Sequence, residues 1–251
     1  RSSDLLSQLA EKQGQMEQAG RWLNQIPASA DPVRLALRRA ELLDHQGRSD
    51  EARLVLTQVQ PASAEQAKRK TLALSQWLRE RKQAGQAYTT IQQALAQSVD
   101  DPDLLTELSL VTEKLQRYDE MEAVLVQLMR LRPQDPHAYN ALGYSLADRG
   151  LRLDEARSLV KRAVALAPQD PFIQDSLGWV AFRMGRLEDA LNILSAAYKA
   201  RPDAEIAAHL GEVLWALQRQ SEAANIWREG LLLKADNETL LDTMKRLGFK
   251  P

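Results

Sequence analysis

Side chains able to do acid–base or metal chemistry are sparse in this sequence. It holds three histidines, His45, His137 and His209, and no cysteine. No histidine has a second histidine at i, i+4, the spacing that puts two such ligands on one helix face. No His-Glu-x-x-His, Gly-Lys-Ser/Thr phosphate loop or Gly-x-Ser-x-Gly nucleophile turn occurs either. Nucleophilic, metal and phosphoryl-transfer catalysis all lack their parts, so we expect no enzyme, no cofactor and no metal. The histidines are expected to be partly solvated surface or groove residues.

Charge is the other source of chemistry. Lys and Arg total 33 against 34 Asp and Glu, which removes any general pull toward nucleic acid or an anionic membrane. One local basic stretch, Lys68, Arg69, Lys70, Arg79, Arg81 and Lys82, spreads over several faces of a helix. It reads as solvated helix surface, with an anionic partner such as a cell-wall polymer or an acidic protein as the alternative. The missing thiols fit a reducing cytosol and a periplasm equally.

The elements that must carry these residues are helices. Gly and Pro number only 11 and 10, and Ala and Leu dominate where β-branched runs are missing. Three marker series share one period. Asp-Pro steps fall at Asp101-Pro102, Asp135-Pro136 and Asp170-Pro171, with Asp31-Pro32 two periods earlier. Leu-Gly pairs end at Gly143, Gly178 and Gly211, and alanines recur at Ala156, Ala190 and Ala223. Pro133, Pro168 and Pro202 close the units. An Asp N-cap offers its carboxylate to free backbone N–H groups, and Pro at the first helical position gives up an N–H that had no partner, so each Asp-Pro step starts a helix. The recurrent Gly and Ala let paired helices approach closely.

This pattern resembles the tetratricopeptide repeat family, most fully in Tyr139, Leu142, Gly143, Leu146, Ala156, Val160, Ala163 and Pro168. The resemblance implies an all-α fold, a right-handed α-solenoid of about seven helix-turn-helix units plus a capping helix. We expect one array over residues 1–251. Its units run over 1–30 (partial), 31–66, 67–101, 102–135, 136–170, 171–203 and 204–236, with a cap at 237–251. The unit at 102–135 is degenerate, with Ser109 and Met121 in place of small residues.

In this family the first helix of each unit lines a concave face suited to an extended peptide or a helix. That implies partner-binding positions at Asn140, Tyr144, Phe172, Asp175, Trp179, Phe182, Arg183, Glu212 and Trp215, with Asp148, Glu205 and Ala208 beside them. Tyr139, Tyr198 and Trp227 are assigned to packing. The two-carboxylate clamp of co-chaperones does not fit, because Glu205 would repel a carboxylate where the clamp needs Lys.

The runs Tyr139 to Gly150, Asp175 to Arg186 and Ala207 to Leu217 are similar to the C-terminal region of proteobacterial repeat lipoproteins of the outer membrane. Some of these bind a carboxyl-terminal processing protease and bring it cell-wall hydrolases to degrade. The resemblance implies an adaptor at the periplasmic face of the outer membrane, with the protease and hydrolases as partners. The alternatives are a self-association or envelope-assembly module and a cytoplasmic, chaperone-like peptide binder. The sequence starts with Arg1, and no apolar run approaches the roughly 18 residues of a membrane span. No signal peptide opens it either, so we expect a fragment whose lipid anchor lies outside it.

Overall fold

A computed structural model describes residues 2–27 and 31–250; the last positions of the expected first unit, 28–30, lie outside the described residues. Among the described residues there are fifteen α-helices and no strand. They are α1 (Ser2–Lys12), α2 (Met16–Asn24), α3 (Pro32–His45), α4 (Ser49–Gln58), α5 (Ala64–Glu80), α6 (Ala84–Leu95), α7 (Pro102–Lys114) and α8 (Tyr118–Leu131). They continue with α9 (Pro136–Asp148), α10 (Leu153–Leu166), α11 (Pro171–Arg183), α12 (Leu187–Ala200), α13 (Ala204–Ala216), α14 (Gln220–Leu233) and α15 (Glu238–Arg246). Odd-numbered helices α1 to α13 open the seven helix-turn-helix units, and α15 is the expected cap.

Local chemistry sets the starts and stops. Asp31, Asp101, Asp135 and Asp170 each accept a backbone N–H in the first turn of the helix that Pro opens, as in His137 N to Asp135 Oδ1 at 2.9 Å. Asp203, Ser63 and Asn237 cap α13, α5 and α15 in the same way without the Pro. Each opening helix ends on a residue with positive φ, at Gly14, Gly47, Lys82, Gln116, Gly150, Gly185 and Gln218. The amide after it reaches back five residues to close the turn, as Arg186 N does to Ala181 O at 2.9 Å. The connection between α9 and α10 is one residue longer than the others, and the added residue is accommodated at Arg152, whose φ is also positive at 44°. This insertion explains the 35-residue step between Asp135 and Asp170 in a register otherwise near 34.

The chain divides into two compact units, Arg1–Val124 and Leu125–Pro251. Unit 1 holds two apolar clusters, one around Ala19, Leu23 and Leu42 and one around Ala52, Leu56, Leu78 and Ala87. Unit 2 is centred on Leu194, Val213, Trp227 and Leu240, all fully buried. Its small residues act as expected. A Cβ on Gly143 would come 2.6 Å from Val160 Cγ2, and one on Gly178 would come 2.6 Å from Leu194 Cγ. At Gly211 a Cβ would collide with the Trp227 indole, which is fully buried and donates Nε1–H to Ala208 O at 3.3 Å. No described helix is long and apolar enough to cross a membrane.

The basic stretch of α5 is not the solvated surface expected. Lys68 reaches Asp103 at 2.9 Å, Arg69 reaches Asp31 at 2.8 Å, Arg79 reaches Glu107 at 3.2 Å, and Arg81 pairs with Asp44. Lys70 donates to Thr57 O at 2.8 Å and Val59 O at 2.7 Å. Neighbouring helices supply the carboxylates from about one repeat away, and the end of α4 supplies the carbonyls, so these cations tie adjacent helices together and are not an array waiting for an anion.

Candidate functional site

The expected binding face of unit 2 is built on α9, α11 and α13. Their parallel placement sets residues about one repeat apart side by side. His209 of α13 lies against Asp175 of α11, with Nδ1 2.8 Å from Oδ2 and 3.0 Å from Oδ1. Its other ring nitrogen, Nε2, is 3.2 Å from the Tyr144 hydroxyl of α9. Trp179 stacks on the imidazole at 4.4 Å between ring centroids, and Phe182 stacks on Trp179 at 5.0 Å. The Trp179 Nε1–H donates to Asp148 Oδ1 at 3.2 Å. Arg183 donates to the Asp148 carbonyl, capping the end of α9, and its guanidinium lies 5.7 Å from the Trp179 ring centroid. One network thus joins Tyr144, Asp175, Trp179, Phe182 and Arg183 through Asp148 and His209.

Burial corrects part of the expectation. His209 is 1% exposed, Trp179 4% and Asp175 5%, so none of the three presents a surface to a partner. The cause is mutual: each fills the gap between helices that another would leave open, and their polar atoms are satisfied inside the network. Glu212 is 7% exposed and bound to Arg246 of α15, so the cap helix consumes its charge. Trp215 is half-buried in an edge cluster with Trp227 at 5.4 Å and Phe249 at 6.4 Å. Phe172 is 37% exposed, stands outside the network, and carries the Arg201 guanidinium 4.9 Å from its ring centroid. Asn140, Tyr144, Phe182 and Arg183 keep partial exposure, and Asn140 Oδ1 has no hydrogen-bond partner. Of the three packing assignments, Trp227 is fully buried. Tyr139 donates to Pro133 O at 3.2 Å. Tyr198 is half-buried with its hydroxyl 3.1 Å from Glu229 Oε2, and burial with that carboxylate pushes its pKa up to about 12.

His209 was expected to be a solvated surface or groove residue, and it is the centre of the network instead. Burial works against its charge, but Asp175 by charge and hydrogen bond, then Glu205 and Asp148, outweigh it and raise its pKa. The pair makes a buried polar core with no face on which to meet a substrate. A signal for it was present in the sequence. Asp175 and His209 stand 34 residues apart, and Glu212 and Arg246 likewise. A scan for complementary side chains one period apart finds both pairs.

Comparison with known proteins agrees with this architecture. The family model for the tetratricopeptide repeat matches residues 108–171 and 176–237, about half of the chain. The TPR repeat-containing protein PA4667 of Pseudomonas aeruginosa is 39% identical over 207 residues, which are 82% of this chain and 35% of that protein. The chain therefore spans about a third of the length of this curated relative. A tetratricopeptide repeat protein from Parabacteroides merdae aligns over 98% of both chains with a TM-score of 0.75 at 16% identity. TTC0263, a thermophilic TPR protein of Thermus thermophilus, aligns over 72% of this chain and 97% of its own with a TM-score of 0.64 at 22% identity. The two solved structures share the fold. With capped helix pairs at a 33- to 35-residue period and small residues where the pairs touch, the chain belongs to the tetratricopeptide repeat family.

Proposed function

We propose that this chain is a non-catalytic adaptor that brings substrate proteins to a carboxyl-terminal processing protease at the periplasmic face of the outer membrane, held there by a lipid anchor outside residues 1–251. Tetratricopeptide repeat proteins mediate protein–protein interactions, and the finer reading follows the likeness to outer-membrane repeat lipoproteins. The observation that carries it is the face of unit 2 on which Asn140, Tyr144, Phe182 and Arg183 stay accessible above the Trp179–His209–Asp175 base. A surface ordered before its guest arrives spares much of the ordering cost of binding. The adaptor then acts by proximity, raising the concentration of substrate beside the enzyme.

The test is a reconstitution with purified protease and a cell-wall hydrolase, with and without this chain. We expect faster hydrolase cleavage when the chain is present, and no cleavage by the chain alone. Failure to capture the protease in a direct pull-down overturns the reading. A second reading, self-association in envelope assembly, is favoured by exposed Leu232, Leu233 and Leu241, at 88%, 52% and 42%. Light scattering that shows a stable homo-oligomer, with no protease captured, would select it.

A further inference from the structure

We propose that unit 1 carries a docking cleft of its own, on α3 and α5, which takes one large apolar side chain of a partner segment that has arginine or lysine beside it. The proposal rests on the protein-binding reading above and adds a second surface and the chemistry of its guest.

The argument starts from register. Counting six residues back from each positive-φ turn residue reaches the same position of every opening helix: Tyr144 and Trp179 in unit 2, Glu41 and Gln76 in unit 1. In unit 2 the two aromatic rings pack on His209 and close the space between helices. Glu41 and Gln76 instead lie exposed, and between them a cleft of about 290 Å³ stays open. Leu37, Ala40, Ala73 and Trp77 line it with apolar surface. The Trp77 Nε1–H is held by Asp44 at 2.6 Å, and the Arg81 guanidinium stands 4.1 Å from its ring centroid, so the indole is fixed before a guest arrives. The volume sits at the small end of ligand pockets, suited to a single side chain of phenylalanine or leucine size.

Charge selects the flanks of that side chain. Glu41, Asp44 and Glu80 stand at the cleft. Arg38 is shared among Glu41, Glu11 and Asp4, and Arg81 is committed to Asp44. Glu80 accepts from the neutral Gln76 amide at 2.9 Å and has no cation partner among the described residues. Carboxylates therefore outnumber cations around an apolar floor. An acidic segment is repelled there and a basic one attracted.

Fluorescence anisotropy on the full chain tests this with three labelled Gly/Ser nonapeptides: one with phenylalanine between two arginines, one with the arginines changed to glutamate, one with the phenylalanine changed to alanine. The first should bind at least about tenfold tighter than either control. Ala73→Phe, which fills the cleft from inside, should weaken it by about tenfold or more, and Glu41→Lys with Glu80→Lys by about three- to tenfold. Equal binding of all three peptides, undiminished binding by both variants, or no binding at all overturns the proposal. Should Ala73→Phe fail to fold, the exposed charge reversals decide alone. A chain that captures the protease yet binds no peptide loses this cleft and keeps the adaptor reading, and the converse result does the reverse.

Discussion

His209 and Asp175, 34 residues apart, are hydrogen-bonded with Nδ1 2.8 Å from Oδ2, and both side chains are almost wholly withdrawn from solvent. Asp175, Glu205 and Asp148 face this imidazole as carboxylates, with the Tyr144 hydroxyl at its other nitrogen. The helices have exchanged water around two ionisable groups for each other.

That exchange makes unit 2 sensitive to pH. The folded-state pKa of His209 is raised above its ordinary value of 6.5, so the folded chain binds more protons than the unfolded chain between the two values. Its contribution is complete below about pH 6.5 and is lost as pH rises through the folded pKa. Urea melts from pH 6 to 9 should show this loss. His209→Gln should remove this part of the slope and lower stability at pH 6, because it leaves Asp175 buried without its cation.

Trp179→Ala should cost about 3 to 5 kcal/mol of stability, since the ring is 4% exposed and stacks on two others. Trp215→Ala should cost less, roughly 2 kcal/mol, from its half-buried place beside Trp227. Denaturant titration checks both. A guest-binding role without a structural one would leave both melts unchanged.

Close approach of helix pairs predicts that Gly178→Ala and Gly211→Ala destabilise by about 1 to 3 kcal/mol, as overpacking does. Gly211→Ala should be the worse, because Trp227 has no free space to move into. Near-ultraviolet circular dichroism should report the displaced indole along with the lower melting point.

The turn residues make the opposite test. Gln218 holds φ at 62° where Gly185 holds 77° one period earlier. Gln218→Gly should stabilise by about 0.5 kcal/mol, the relief of left-handed strain less the extra freedom of the unfolded chain. Gly185→Ala should destabilise by about 1 kcal/mol. Thermal melts of the two single variants give both signs.

Much of this fold is legible in the sequence because its signals are local. An Asp before a Pro starts a helix through its own carboxylate and its neighbour's missing N–H, whatever the rest of the chain does. The paired small residues are legible as well, since their spacing repeats. The site is less legible. Helical register places Tyr144, Trp179 and Glu212 on one side of their helices, and that side alone does not say whether a ring faces a guest or a neighbour. Asp148 and His209 decide it for Trp179, and Arg246 decides it for Glu212. The same applies to Arg69, Arg79 and Arg81, which read as solvated surface until carboxylates one repeat away meet them.

That this chain folds as capped helix pairs of one period follows from its residues alone, because caps, turns and small residues act within a few positions or recur at fixed spacing. The packing of neighbouring helices settled the rest: His209 is buried between Asp175 and Tyr144, Trp179 and Glu212 face inward, and unit 1 keeps a cleft beside Trp77. Those outcomes depend on which side chains meet across neighbouring helices. Burial and charge there are properties of the pair, carried by neither residue alone.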